Sequence, residues 1–176
     1  MRIHKTPIKD LLIVEPETYG DSRGSFFESF NKKKFCKLLG KDIDFVQDNQ
    51  SSSKKNVLRG IHLQKSPYSQ GKLVRVVNGA ITDYAIDLRK DSKSYLKYFS
   101  LELNTVNNLQ LWIPEGFGHA FLALTDNATV HYKATNFYNR DSELTIRWDD
   151  PKINIDWMIK SSEMIISEKD KAGIFL

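Results

Sequence analysis

Apolar and polar residues alternate along most of this chain with a period of two, in short runs broken by turns roughly every 8–12 residues. Asp10 to Glu15 (DLLIVE) reads as a strand closed by Pro16 and a turn near Gly20. Asp21, Ser22 and Gly24 read as another turn. Ser25 to Phe30 then places Phe26, Glu28 and Phe30 on one strand face, with Phe27 and Ser29 on the other. Strand patterns return from Leu58 to Gln64, Lys72 to Val77, Ala80 to Leu88, Leu96 to Leu103 and Leu109 to Ile113. The WIPEGFGHAFLAL segment bends at Pro114 and Gly116 and resumes as a strand. Ala128 to Phe137 puts Val130, Tyr132 and Ala134 on one face. Asn78-Gly79 predicts a hairpin turn. From Ile43 the pattern returns to strands, and DFVQDNQSSS ends in a polar loop, where Gln47, Asp48 and Asn49 suit either an ordinary turn or hydrogen bonds to a base or sugar.

One segment has helical character. Asn31 is a good N-cap, Phe35, Leu38 and Leu39 form a stripe behind it, and Gly40 supplies a stop. Phe30 and Phe35 predict a hydrophobic staple across the cap. The tail SEKDKAGIFL is turn-rich and allows minor helical turns. The expectation is an all-β sandwich or barrel with one short N-terminal helix, residues 1–176 forming a single domain.

Composition narrows the setting. The apolar fraction of 40% is ordinary for a soluble globular chain, and no apolar run is long enough to span a bilayer. MRIHKTPIKD lacks the apolar core of a signal peptide, and the one cysteine, Cys36, cannot form an intrachain disulfide; the cytoplasm is the expected compartment. Cys36 sits in the helical stripe with no histidine nearby and is expected to be packed rather than reactive. The net charge of +4 suits an anionic ligand such as a nucleotide. The lysines are scattered, and Lys32-Lys33-Lys34 falls on the helix as a solvated face, so nucleic acid is not the expected partner.

The chemistry concentrates in VLRGIHLQKSPYSQGKLVRVVNGA, residues 57–80, which sets Arg59, His62 and Lys72 into strand sequence. His62 in RGIHLQ and His119 in PEGFGHAF are similar to the two motifs of the cupin, or jelly-roll, superfamily. Metal-binding cupins carry a second histidine where this chain has Gln64, and no glutamate falls between Gln64 and Gly79. An amide oxygen is a poor ligand for zinc or iron, so no metal is expected. Proton chemistry is the alternative. His62 is either a general base or a satisfied core histidine. As base it needs an orienting acid, for which Asp170 is a candidate. Lys72 or Arg59 could stabilise an enolate oxygen, and Tyr132 or Tyr138 could return a proton from another strand. Glu28, flanked by phenylalanines, is either an edge residue or a ligand contact.

Seven segments in order then match one family. GDSRGSFFESF, FVQDN, VLRGIHLQ, QGKLVRVVNGAITDYAIDLR, LWIPEGFGHAFL, YKATNFY and SEKDKA resemble the dTDP-4-dehydrorhamnose 3,5-epimerase family over nearly the whole chain. The resemblance implies a jelly-roll homodimer without metal or cofactor that inverts C3 and C5 of a dTDP-4-keto-6-deoxy sugar. It assigns His62 as base, Asp170 as its partner, Tyr132 as acid and Lys72 as neighbour of the C4 oxygen. Arg59 and His119 line the sugar pocket. Arg23, Glu28, Gln47, Asp48 and Asn49 are implied nucleotide contacts, with Tyr138, Glu143 and Lys169 near the same cleft. Arg23 and Glu28 are implied to reach into the partner's site. This chain has DNQS where the family often has DNHS, and GFGHAF where it often has GFAHGF. A single-centre epimerase, a 3,4-ketoisomerase, an epimerase for a different nucleotide sugar and a non-catalytic sugar-binding jelly roll are the rivals. Strict alternation from Leu58 to Gln64 sends Arg59 and His62 to opposite faces. Sharing one pocket therefore requires an irregularity between them, for which Gly60 is well placed.

Overall fold

The computed structural model describes residues 1–176 as a jelly roll. Strands β1 (Arg2–Lys5), β2 (Leu12–Glu15), β3 (Thr18–Asp21) and β4 (Gly24–Phe27) precede helix α1 (Lys32–Leu39). Then follow β5 (Gln47–Ser53), β6 (Val57–Gln64), β7 (Lys72–Asn78), β8 (Ala80–Asp87), β9 (Tyr98–Asn104), β10 (Gln110–Ile113), β11 (Phe117–Ala123), β12 (Ala128–Ala134) and β13 (Glu143–Thr145). A short β14 (Ile165–Ile166) and a single-turn α2 (Glu168–Lys171) complete the order.

One sheet runs β1-β2-β10-β7-β12-β5 and the other β13-β6-β11-β8-β9, with β14 beside β6 and β3–β4 a separate hairpin. Between the sheets, Val74, Val76, Leu111, Ile113 and Val130 pack against Ile81, Ala85, Leu103, Phe117 and Phe121. Alternation along the strands produces this layer, and each sheet also buries part of its outer face. Helix α1 lays Phe35 on Leu73 and Trp112. Ile146, Ile153 and Trp157 cover Leu58, Ile61, Tyr84 and Leu122 of the other sheet. Two-sided burial explains why β11 (FGHAFLA) is buried at every position rather than alternating.

The local helix signals hold. The Asn31 side chain accepts from Lys34 N, Gly40 takes the left-handed conformation, and Phe30 meets Phe35 edge-on at 5.8 Å between ring centroids. Cys36 packs in this layer, with its sulfur against the Ile43 backbone.

Three expectations are corrected. QDNQSSS is not a loop but all of β5, an edge strand hydrogen-bonded only to β12; its polar composition suits a strand with one free edge. Asn78-Gly79 does not close a hairpin, because β7 and β8 lie in different sheets. The dipeptide specifies a tight turn, and here that turn carries the chain across the sandwich. The strand after Gly24 stops at Phe27, so Glu28 and Phe30 do not share a strand face with Phe26. The Glu28 carboxylate instead pairs with Lys34 at 2.9 Å and accepts from Asn31 at the start of α1.

Candidate active site

The polar side chains set into the strands converge on a cleft of about 290 Å³ between the sheets. Sheet β13-β6-β11-β8-β9 supplies one wall, with Arg59, His62, His119 and Glu143; the opposing sheet supplies Lys72, Tyr132 and Asn49.

Arg59 and His62 share this cleft because β6 is irregular where Gly60 sits. Pairing matches His62 with His119 and Arg59 with Phe121, so three steps along β6 answer two along β11. That bulge changes the parity of the alternation. Gly60 has φ +120°, and a Cβ there would lie 2.6 Å from Ala120 Cβ and from His119 O. No side chain fits. Arg59 is held by Nε to Ser53 Oγ at 3.0 Å and by Nη2 to Ser52 O at 3.2 Å.

His62 Nε2 lies 2.6 Å from Asp170 Oδ1. Burial opposes ionisation of Asp170, but the bonds from His62, the Ser167-capped turn and, at 3.5 Å, the Gly60 N–H prevail and hold its carboxyl below the usual range. The ionised carboxylate therefore places the proton of a neutral ring on Nε2 and leaves the Nδ1 lone pair free. A second pair stands beside it. His119, the cross-strand neighbour of His62, has Nε2 at 2.7 Å from Asp83 Oδ1, and both side chains are buried. Burial pulls His119 down, with Lys72 and His62 adding to the effect and Asp83 opposing it. Asp83 went unnoticed in the sequence: an acid in alternating TDYAID carries no local mark, and only the pairing of β8 with β11 brings it to His119.

Lys72 is buried. Loss of water pulls it down to about 8, against the opposing charges of Asp83 and Glu143. Its ammonium stands 5.7 Å from the centre of the Tyr132 ring. Burial raises Tyr132, Glu143 adds to this and Arg59 opposes it. The Tyr132 ring faces His119 edge-on at 6.4 Å, which sets it on the wall across from the histidines.

The cleft mouth is a linked polar group. Tyr138 Oη donates to Glu143 at 3.1 Å, and Lys169 pairs with the same carboxylate at 2.6 Å. Gln47 accepts from Tyr138 N and donates to Asn49, so it braces the mouth. Gln64 is occupied by backbone: its amide donates to Tyr68 O and Phe137 O and accepts from Asn139 N. Asp48, Arg23 and Glu28 lie outside this chain's own cleft. Asp48 points to the other face of β5, pairing with Lys133 at 3.1 Å, because consecutive strand residues cannot share a face. Arg23 is exposed on the β3–β4 hairpin, bound to Asp21, and Glu28 sits beside α1. Gln50, Ser51, Leu63, Gln70 and Phe121, none of them expected, also line the cleft.

A model of dTDP-4-dehydrorhamnose 3,5-epimerases matches residues 5–176. The chain belongs to this family. The enzyme of that name from Shigella flexneri is 49% identical over 98% of this chain and 94% of its own length. The crystal structure of the Elizabethkingia anophelis enzyme superposes with a TM-score of 0.95 at 44% identity, covering 99% of this chain and 96% of that one. A Legionella pneumophila dTDP-6-deoxy-D-glucose-3,5-epimerase in complex with dTDP-4-keto-L-rhamnose superposes with a TM-score of 0.94 at 43% identity, covering 99% and 92%. No helix of this family member is long and apolar enough to cross a membrane.

Proposed function

We propose that residues 1–176 form one catalytic domain that inverts C3 and C5 of dTDP-4-dehydro-6-deoxy-D-glucose, giving dTDP-4-dehydro-L-rhamnose. The observation that carries this reading is the placement of the His62–Asp170 pair on one wall of a cleft and Tyr132 on the other, with Lys72 between the sheets. The C4 ketone acidifies the hydrogens on C3 and C5. His62 Nδ1 takes one of them, and the electron pair moves onto the C4 oxygen. The Lys72 ammonium stabilises that enolate. Tyr132 then donates a proton to the opposite face of the carbon, which inverts it. Each inversion leaves one proton on His62 and removes one from Tyr132, and exchange with solvent resets both. Nothing changes oxidation state, so proton transfer alone completes the chemistry.

The nucleotide lies toward the Asn49, Tyr138, Glu143 and Lys169 end, with Gln47 bracing it. The active form is a cytoplasmic homodimer. Exposed Tyr19 and Phe26 on the β3–β4 hairpin suit a protein partner, and Arg23 and Glu28 lie by that hairpin, outside their own chain's cleft. In a dimer they complete the other subunit's site. Mixing Arg23→Ala with His62→Ala subunits tests this: each re-formed hybrid dimer regains one complete site, so a 1:1 mixture recovers about a quarter of wild-type sites. No recovery on mixing places Arg23 in its own chain's function.

The chemical step is tested by incubating the protein with dTDP-4-keto-6-deoxyglucose in deuterated water and following C3 and C5 by NMR. Loss of both proton signals is expected. Loss of one only would make this a single-centre epimerase, and loss of neither would overturn the assignment. Tyr132→Phe should depress inversion more than exchange.

A further inference from the structure

Asp170 stands on α2, a single turn of four residues. A turn that short has no stability of its own, so the position of its carboxylate is set by what clamps it. Upstream, β14 runs parallel to β6, with Ile165 beside Val57 and Ile166 beside Leu58. Downstream, the chain folds back onto residues 145–147. Ile174 N donates to Thr145 O at 3.0 Å, and Arg147 N donates to Ile174 O at 2.9 Å. Gly173 passes so close that a Cβ would lie 3.0 Å from Arg147 N, Ile146 C and Thr145 O.

The Arg147 guanidinium ties this clamp to the turn. Nη1 donates to the Lys171 carbonyl of α2 at 2.9 Å. Nε and Nη2 fork onto Asp149, each at 2.7 Å, and the Phe175 ring lies 4.8 Å from the guanidinium carbon. Arg147 follows Ile146, which exchanges both backbone hydrogen bonds with Ile61, the residue before His62. One short path therefore joins the strand of the base to the turn of its acid: Ile61, Ile146, Arg147, Lys171.

We propose that Arg147, with the 173–175 segment it clamps, is the positioning element of the His62–Asp170 pair. It touches no substrate and acts by fixing where the Asp170 carboxylate stands against the ring. The inference rests on the reading of His62 as the base.

The two histidine–aspartate pairs supply an internal control. A proton held between His Nε2 and a carboxylate at 2.6–2.7 Å resonates far downfield in proton NMR. Two such signals are expected, assigned by their loss in His62→Asn and His119→Asn. Arg147→Ala should lose or shift the His62 signal and leave that of His119 in place. It should lower kcat for C3 and C5 exchange roughly 10- to 100-fold with KM little changed, and cause no further loss in an Asp170→Asn background. Arg147→Lys should restore only part, since one ammonium cannot hold Lys171 O and fork onto Asp149 together. Should Arg147→Ala fail to fold, Gly173→Ala strains the same clamp and is read the same way. An unmoved His62 signal, or an equal penalty in the Asp170→Asn background, overturns the proposal. Wild type showing both signals but no exchange would instead overturn the epimerase reading and leave the clamp to be judged by NMR.

Discussion

His62–Asp170 and His119–Asp83 have nearly the same geometry, with Nε2 to carboxylate distances of 2.6 and 2.7 Å, and their histidines are cross-strand neighbours. They differ in access. The His62 side chain is 31% exposed and the His119 side chain 8%. They also differ in what supplies the acid. Asp83 comes from the adjacent strand β8, whereas Asp170 comes from an added turn outside the sheet. A histidine that must take a proton and surrender it needs a route to substrate and solvent. A buried histidine held neutral suits a fixed hydrogen-bonding role. The same pair of residues thus meets two settings set by burial, and the proposed function gives the proton chemistry to the more exposed pair.

The largest test of that contrast is deletion of each ring. His62→Ala should remove exchange at both carbons, a loss of about 10³-fold or more, whereas His119→Ala should cost roughly 10- to 100-fold. Equal losses, measured by deuterium incorporation, would erase the distinction. Next come the acids. Asp170→Asn should lower kcat roughly 10²- to 10³-fold by giving the ring the wrong tautomer and orientation. Asp83→Asn should cost only about tenfold.

The smallest effect is on pH dependence. In the proposed mechanism Lys72 acts as an ammonium, so kcat/KM should fall as pH rises through about 8. Asp83→Asn removes a negative charge that holds that ammonium, so the falling limb should move to lower pH; an unmoved limb would show that the buried carboxylate does not support Lys72. The sign for stability is opposite. The folded value lies below the unfolded one of 10.5, so between about 8 and 10.5 the unfolded chain binds more protons and this group's contribution to stability rises with pH.

The legible parts of the sequence were those with local causes. The Asn31 cap, the Phe30–Phe35 staple and the Gly40 stop are all set by neighbours within one helix, and they appear as read. The conflict between Arg59 and His62 was also local, and it pointed correctly to an irregularity that Gly60 permits. Long-range pairing was less legible. Asn78-Gly79 marks a turn but cannot say which sheet the next strand joins. Gln47 to Ser53 looks like a loop because edge strands tolerate polar residues on both faces. Asp83 has no signature until β8 meets β11. Asp170 was only a candidate partner until family resemblance assigned it to His62, since nothing within the tail announces a partner 108 residues earlier.

That separation has a consequence for synthesis. At roughly 5–20 residues per second, a ribosome makes His62 about 5–20 seconds before Asp170. Until the turn bearing Asp170 emerges and docks, His62 is present without its carboxylate partner. A chain arrested after β13 therefore carries most of the sandwich and both walls of the cleft, yet cannot form the His62–Asp170 pair.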